Sequence, residues 1–172
     1  MIQTVFSAEL PVGEHLLIQK HTIVGTAPAP FGGEAAADGH RPRSAVVTGG
    51  HGDELEGQYV AFRLAQLLEE NLDALYGTVD IYPAINPLGI NSIERSVPMF
   101  DVDLNRTFPG KAAGDLTETL AAAVIGDISG ADAAIGPRPL GRVPACAQSP
   151  GTHTRRARPF ASTASITCTG MP

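Results

Sequence analysis

Tryptophan is absent and cysteine nearly so: the 172 residues hold only Cys146 and Cys168, with no Cys-x-x-Cys pair. That excludes a disulfide framework and a cysteine-based metal knuckle. Long uncharged apolar runs are missing too. The most apolar stretch, Thr119 to Ile135, is broken by Asp127 and Asp132, so no membrane span is expected. Met1 to Leu10 carries no basic residue and includes Glu9, which predicts no secretory signal and a cytoplasmic chain. Excess positive charge is also lacking. At a net charge of −6, nucleic acid is not an expected partner. What remains is ordinary globular composition, 43% apolar and 17% charged, in a length that suits one compact domain.

A further absence divides the chain. All 18 acidic residues lie between Glu9 and Asp132, and the 37 residues from Gly136 to Pro172 contain no Asp, Glu or Lys. That stretch holds five arginines, Arg138, Arg142, Arg155, Arg156 and Arg158, and both cysteines. We therefore read residues 1–135 as a partial domain and 136–172 as a basic tail rich in Pro, Arg, Ser and Thr. The tail is either a linker or disordered arm, or a stretch translated from a different reading frame.

Within the first part, Leu16-Leu17-Ile18 and Thr22-Ile23-Val24 predict strand cores, and Ala27 to Arg43 a loop. Ala45-Val46-Val47 suits a strand covered on both faces. From Glu54 to about Leu75, Leu55, Tyr59, Phe62, Leu64, Leu67, Leu68, Leu72 and Leu75 recur at helical steps, and Gly77 ends the pattern. Thr78 to Ile85 returns to strand. Strand, Gly-rich turn, helix, strand is the βαβ order, which predicts an α/β fold with a mostly parallel sheet flanked by helices. In such sheets ligands collect at the carboxyl ends of the strands.

Two polar clusters fall there. In the first, His51 and Glu54 stand three apart where a strand gives way to a helix, so a ring nitrogen and a carboxylate oxygen can converge. Zinc accepts that pair, and catalytic zinc takes three protein ligands plus water. The competing reading is a helix N-terminus, with Asp53 as N-cap and Glu54 and Glu56 favoured by the helix dipole. It leaves His51, set between glycines, without a purpose. Gly50-x-Gly52-x-x-Leu55 lacks the third glycine of a dinucleotide fingerprint, and no G-x-S-x-G occurs.

The second cluster is Asn86-Pro87-Leu88-Gly89, then Arg95, then Asp101 to Gly110. Asp101-Val-Asp103-Leu-Asn105 opens like a calcium loop, but Arg106 and Ala112 occupy the positions that need Gly and Glu. Arg95, Asn105 and Arg106 suit a carboxylate substrate, because guanidinium forks bind carboxylates bidentately. Alternatively, the arginines pair with Glu94, Asp101 and Asp103.

Taken together, His51-Gly52-Asp53-Glu54, Asn86-Pro87-x-Gly89, Arg95 and Asp103-Leu104-Asn105-Arg106-x-Phe108-Pro109-Gly110 resemble the succinylglutamate desuccinylase/aspartoacylase family. These are zinc hydrolases related to the metallocarboxypeptidases, and the likeness runs from about Ser44 to Gly110. It implies a zinc-carboxypeptidase-like fold with one zinc ion per chain and His51 and Glu54 as its first two ligands. Arg95 would polarise the scissile carbonyl and steady the oxyanion, while Asn105 and Arg106 would hold the substrate carboxylate. The implied reaction is hydrolysis of the amide bond of a small carboxylate-bearing N-acyl amino acid.

The same resemblance implies a third ligand from Asp-Leu-His directly after a strand, and a later glutamate as general base. Gly130 to Ile135 reads as the lead into that strand, yet Gly136-Pro137-Arg138 follows, and no acid comes after Asp132. Family members are also considerably longer. His153 is the one histidine beyond position 135, and it sits beside Arg155 and Arg156. The expectation is a truncated deacylase, inactive as the chain stands. A non-catalytic carboxylate-binding protein and a zinc carboxypeptidase stay open as alternatives, as do oligomeric state and the choice of acyl group and amino acid.

Overall fold

The computed structural model describes residues 1–29, 39–137 and the backbone of 164–168. Residues 30–38 of the expected loop lie outside these, as do 138–163 and 169–172 of the basic tail, with His153 and all five tail arginines.

The first two strands, β1 (Ile2–Glu9) and β2 (His15–Val24), form an antiparallel hairpin around a short turn at Pro11–Gly13. β2 alternates strictly at first, with Leu16, Ile18 and Lys20 buried and the residues between them exposed. β3 (Arg43–Val47), α1 (Glu56–Glu70) and β4 (Thr78–Tyr82) then make the βαβ unit. Three helices follow, α2 (Pro87–Ser92), α3 (Leu104–Thr107) and α4 (Leu116–Ile128), then β5 (Ala133–Pro137) and β6 (Ala164–Cys168). Among the described residues no helix is long and apolar enough to cross a membrane.

The six strands order as β1-β2-β4-β3-β5-β6. The expected parallel arrangement forms the centre, where β3 runs parallel to both β4 and β5. The flanks are antiparallel, with β2 against β4 and β6 against β5, so the sheet as a whole is mixed. Helices cover both faces. α1 packs through Ala61, Leu64 and Leu68 on Ile23, Val46, Val79 and Ile81. α4 packs through Leu120, Ala121, Val124 and Ile128 on the other face, against Leu16, Ile18, Ala45, Val47 and Tyr82.

Two details of α1 depart from the sequence expectation. Asp53 is not its N-cap: Leu55 holds that position, and no side chain caps the helix. The helix also ends at Glu70 rather than near Leu75. The amides of Thr26 and Ala27 take the carbonyls of Leu72 and Leu75, at 2.7 and 3.0 Å, and so tie this segment to the end of β2. Of the periodic apolar residues, Leu55, Tyr59, Phe62 and Leu67 face solvent, while Leu64, Leu68, Leu72 and Leu75 pack.

A buried ionic cluster lies on the α4 face. Lys20 Nζ sits 2.8 Å from Asp127 and 3.4 Å from Asp80, and the Arg43 guanidinium donates to Asp80 at 2.8 Å. Thr22 also donates to Asp80, and the Tyr82 hydroxyl donates to Asp127. Burial acts against the Asp80 charge, yet hydrogen bonds from Thr22 and Arg43 and the nearby Lys20 outweigh it, holding its carboxyl below the usual range.

Candidate metal centre

β3 and β4 lie side by side in parallel, so the segments after them, Thr48 to Leu55 and Pro83 to Asn86, emerge together. Gly49 turns the chain with φ 68°, a conformation that L side chains resist. Gly52 is pressed against α2, where a Cβ would meet the Gly89 carbonyl carbon at 2.0 Å. Buried Asn86 joins three segments: its Oδ1 accepts from Gly89 N at 3.0 Å, capping α2, and its Nδ2 donates to Ser96 O at 3.1 Å. Its backbone N–H donates to Gly49 O at 2.8 Å. The Asn86-Pro87-x-Gly89 motif thus fixes the His51 turn against the segment that carries Arg95.

His51 is buried, 6% exposed, and both of its ring nitrogens are engaged. Nδ1 lies 2.8 Å from Glu54 Oε1, and Nε2 lies 3.0 Å from Asp103 Oδ1. Asp103 also caps α3 by accepting from Asn105 N at 3.0 Å. Partial burial opposes its charge, but hydrogen bonds from His51 and the Asn105 backbone, with the Arg95 charge, keep its carboxyl below the ordinary value. Asn105 is 3% exposed, its Nδ2 is 2.9 Å from His51 Nε2, and its Oδ1 has no partner.

The arginines form the rim. Arg95 stands 3.5 Å from Glu54 and 3.7 Å from Asp103, and Arg106 stands 3.9 Å from Asp103. Both side chains are more than half exposed, so their contacts are loose and their donors face solvent. Of the three acids weighed as their local partners, Asp103 takes both arginines, while Asp101 accepts from Ser96 Oγ at 3.4 Å. The five residues singled out in the sequence, His51, Glu54, Arg95, Asn105 and Arg106, therefore meet around Asp103. That hub role was not foreseen, because 52 positions separate Asp103 from His51 in the chain.

The donor set fits a divalent metal. His51, Asp53 and Glu54 offer one nitrogen and two oxygens within 4.8 Å of one another. The imidazole has the arrangement of a metal-bound histidine, one nitrogen beside the carboxylates and the other on a carboxylate that fixes the tautomer. Among the described residues no second histidine joins the cluster: His21 pairs with Glu69 and His40 with Asp132. Ile135 of β5 pairs with Val46, and the two β5 residues beyond it, Gly136 and Pro137, carry no donor side chain.

The family model for the succinylglutamate desuccinylase/aspartoacylase catalytic domain matches residues 40–130, just over half of the chain and every residue of the centre. The chain belongs to this family. An N-alpha-acetyl-L-2,4-diaminobutyric acid deacetylase from Halomonas elongata is 35% identical over 83 residues, 48% of this chain and 24% of the relative. A succinylglutamate desuccinylase/aspartoacylase structure from Rhodobacter sphaeroides is 26% identical with a TM-score of 0.62, over 82% of this chain and 40% of that one. A metallo-carboxypeptidase from Burkholderia cenocepacia shares the fold at 17% identity and a TM-score of 0.55, over 78% of this chain and 35% of its own. The chain thus spans about a quarter of the curated relative it matches. The carboxyl-end turns of β3 and β4 both lie within the matched stretch.

Proposed function

We propose that this chain carries the metal-binding and carboxylate-binding part of a zinc-dependent hydrolase that cleaves the amide bond of N-acyl amino acids. One observation carries the reading: His51, Glu54, Arg95, Asn105 and Arg106, drawn from three separate segments, converge on one centre inside the family-matched stretch. The Halomonas relative is named for deacetylating an N-acetyl amino acid, which supports this substrate class.

In this reading His51 and Glu54 hold the ion, and Asp103 orients His51 through Nε2. Bound zinc supplies carbonyl polarisation and a water of lowered pKa. Arg95, exposed beside Glu54, offers its guanidinium to the oxygen that gains charge as the carbonyl is attacked. Arg106 provides a fork for the substrate carboxylate, with the Asn105 amide below it. No acid follows Asp132 in the sequence to act as the later general base. We therefore expect substrate binding by this chain without turnover. The division at residue 135 belongs to the same proposal.

Calorimetry of the zinc-loaded chain with N-acetyl-L-amino acids tests the reading. Binding is expected to weaken about tenfold or more in Arg106→Ala, the loss of one charge-assisted contact, with no free amine released. Binding that ignores both zinc and Arg106 would contradict it. Binding that needs Arg106 but not zinc would favour a carboxylate-binding protein without chemistry.

A further inference from the structure

We propose that the outer face of α1 is an interface on which two copies of this chain associate, their helices antiparallel about a two-fold axis. The proposal is independent of the metal reading.

α1 turns Ala61, Leu64 and Leu68 to the sheet, which leaves its outer face to solvent. That face is not polar. Leu55, Tyr59, Val60, Phe62 and Leu67 are all between 45% and 67% exposed. A lone exposed apolar side chain needs no explanation, but five on one helix face form the kind of patch that marks an interaction surface. Leu55, Tyr59 and Phe62 recur at steps of four and three residues, so they line up as one stripe.

Charge identifies the occupant. Glu56 and Arg63 stand seven residues apart, two helical turns, and so lie on the same flank of that stripe. Both are exposed, and neither forms an ion pair among the described residues: Arg63 donates only to Gln66, at 2.6 Å. In an antiparallel pair of identical helices related by a two-fold axis, each flank meets its own copy. With the axis between Tyr59 and Val60, Glu56 falls opposite the partner's Arg63, and Arg63 opposite the partner's Glu56. Tyr59 then packs beside the axis, and Leu55 lies level with the gap between the partner's Phe62 and the partner's Gln66. The face is thus complementary to itself in charge and in apolar content. An anionic membrane surface suits it less, because Glu69 and Glu70 are also exposed and Arg63 is the one cation of α1.

Sedimentation equilibrium of the full chain from micromolar to millimolar concentration tests the interface. A reversible dimer with a micromolar dissociation constant is expected, in keeping with a patch at the small end of interface sizes. Tyr59→Asp should raise that constant by about tenfold or more, because it sets two carboxylates beside the axis. Glu56→Arg and Arg63→Glu each place like charges face to face twice, and each should raise it by about tenfold or more. The double variant Glu56→Arg/Arg63→Glu should return it to within about threefold of the original. These are exposed positions, so the variants should keep the urea midpoint of the unmodified monomer, which separates lost association from lost folding. A chain that stays monomeric up to about 1 mM, or a dimer indifferent to Tyr59→Asp, would overturn the proposal. Weakened single swaps that the double variant fails to restore would overturn the antiparallel pairing.

Discussion

Asp80→Ala is expected to lower the unfolding free energy by about 3 kcal/mol, the lower end of the range for breaking a buried ion pair. Asp80 is 1% exposed and accepts from Thr22, Arg43 and Lys20. Removing it takes one of two carboxylates from Lys20, itself 8% exposed, while Lys20 keeps Asp127 and Arg43 keeps the Asp127 carbonyl. Those surviving partners set the lower end. Urea titration should show a reduced midpoint at an unchanged slope. A pH signature accompanies the loss. The folded Asp80 carboxyl lies below its unfolded value, so its contribution is complete above about pH 4 and disappears as pH falls through the folded value. In that acid window the unfolded chain binds more protons, and stability rises with pH. Asp80→Asn should therefore flatten this part of the stability profile.

Gly52→Ala is expected to disable the centre and to destabilise the fold by about 1–3 kcal/mol, the usual cost of forced overpacking. The added Cβ would lie 2.0 Å from Gly89 C, 2.1 Å from Gly89 O and 2.5 Å from Glu94 O, and all three are backbone atoms. Nothing flexible can yield, so the turn must move and take His51 and Asp53 with it. The 2.9 Å bond from Gly52 N to Glu94 O, which ties the turn to the Arg95 segment, goes as well. Gly126→Ala is the matched control. It lies inside α4 with nothing within 4 Å of the added Cβ, and it should raise stability by about 0.5–1 kcal/mol through helix propensity. Thermal melts and zinc titration on both variants separate loss of the centre from loss of the fold.

Much of the central fold was legible because it is local. Ala45-Val46-Val47, the glycine turn, the leucine-rich helix and Val79-Asp80-Ile81 specify β3, α1 and β4 in order, and a βαβ unit makes β3 and β4 parallel. The antiparallel docking of β2 on β4 was not legible, since it depends on which edge the hairpin finds. Helical periodicity overstated α1: Leu55, Tyr59 and Phe62 keep the spacing but face solvent, and the last turn is lost to the amides of Thr26 and Ala27. One local signal went unused. Asp115 and Glu118 form a capping box that starts α4, and both residues of that motif are plain in the sequence.

The candidate site divides in the same way. His51 and Glu54 were legible because three residues at a strand-to-helix turn fix their separation. Arg95, Asn105 and Arg106 were legible as candidates for a carboxylate site, beside a reading in which the arginines pair with local acids, and their meeting with His51 depends on Asp103 and on the Asn86 bridge, both products of tertiary packing. Asp53 as an N-cap was the competing reading, and it does not hold: a carboxylate ahead of a helix reads as a cap unless the turn geometry is known.

Zinc titration of the chelator-treated chain against a competing metal indicator, with His51→Ala alongside, tests the central claim most directly. One zinc per chain is expected, weakened by about 100-fold or more in His51→Ala, because the substitution removes the cluster's one nitrogen donor among the described residues. Failure of the unmodified chain to bind zinc stoichiometrically, or equal binding by the variant, would contradict it.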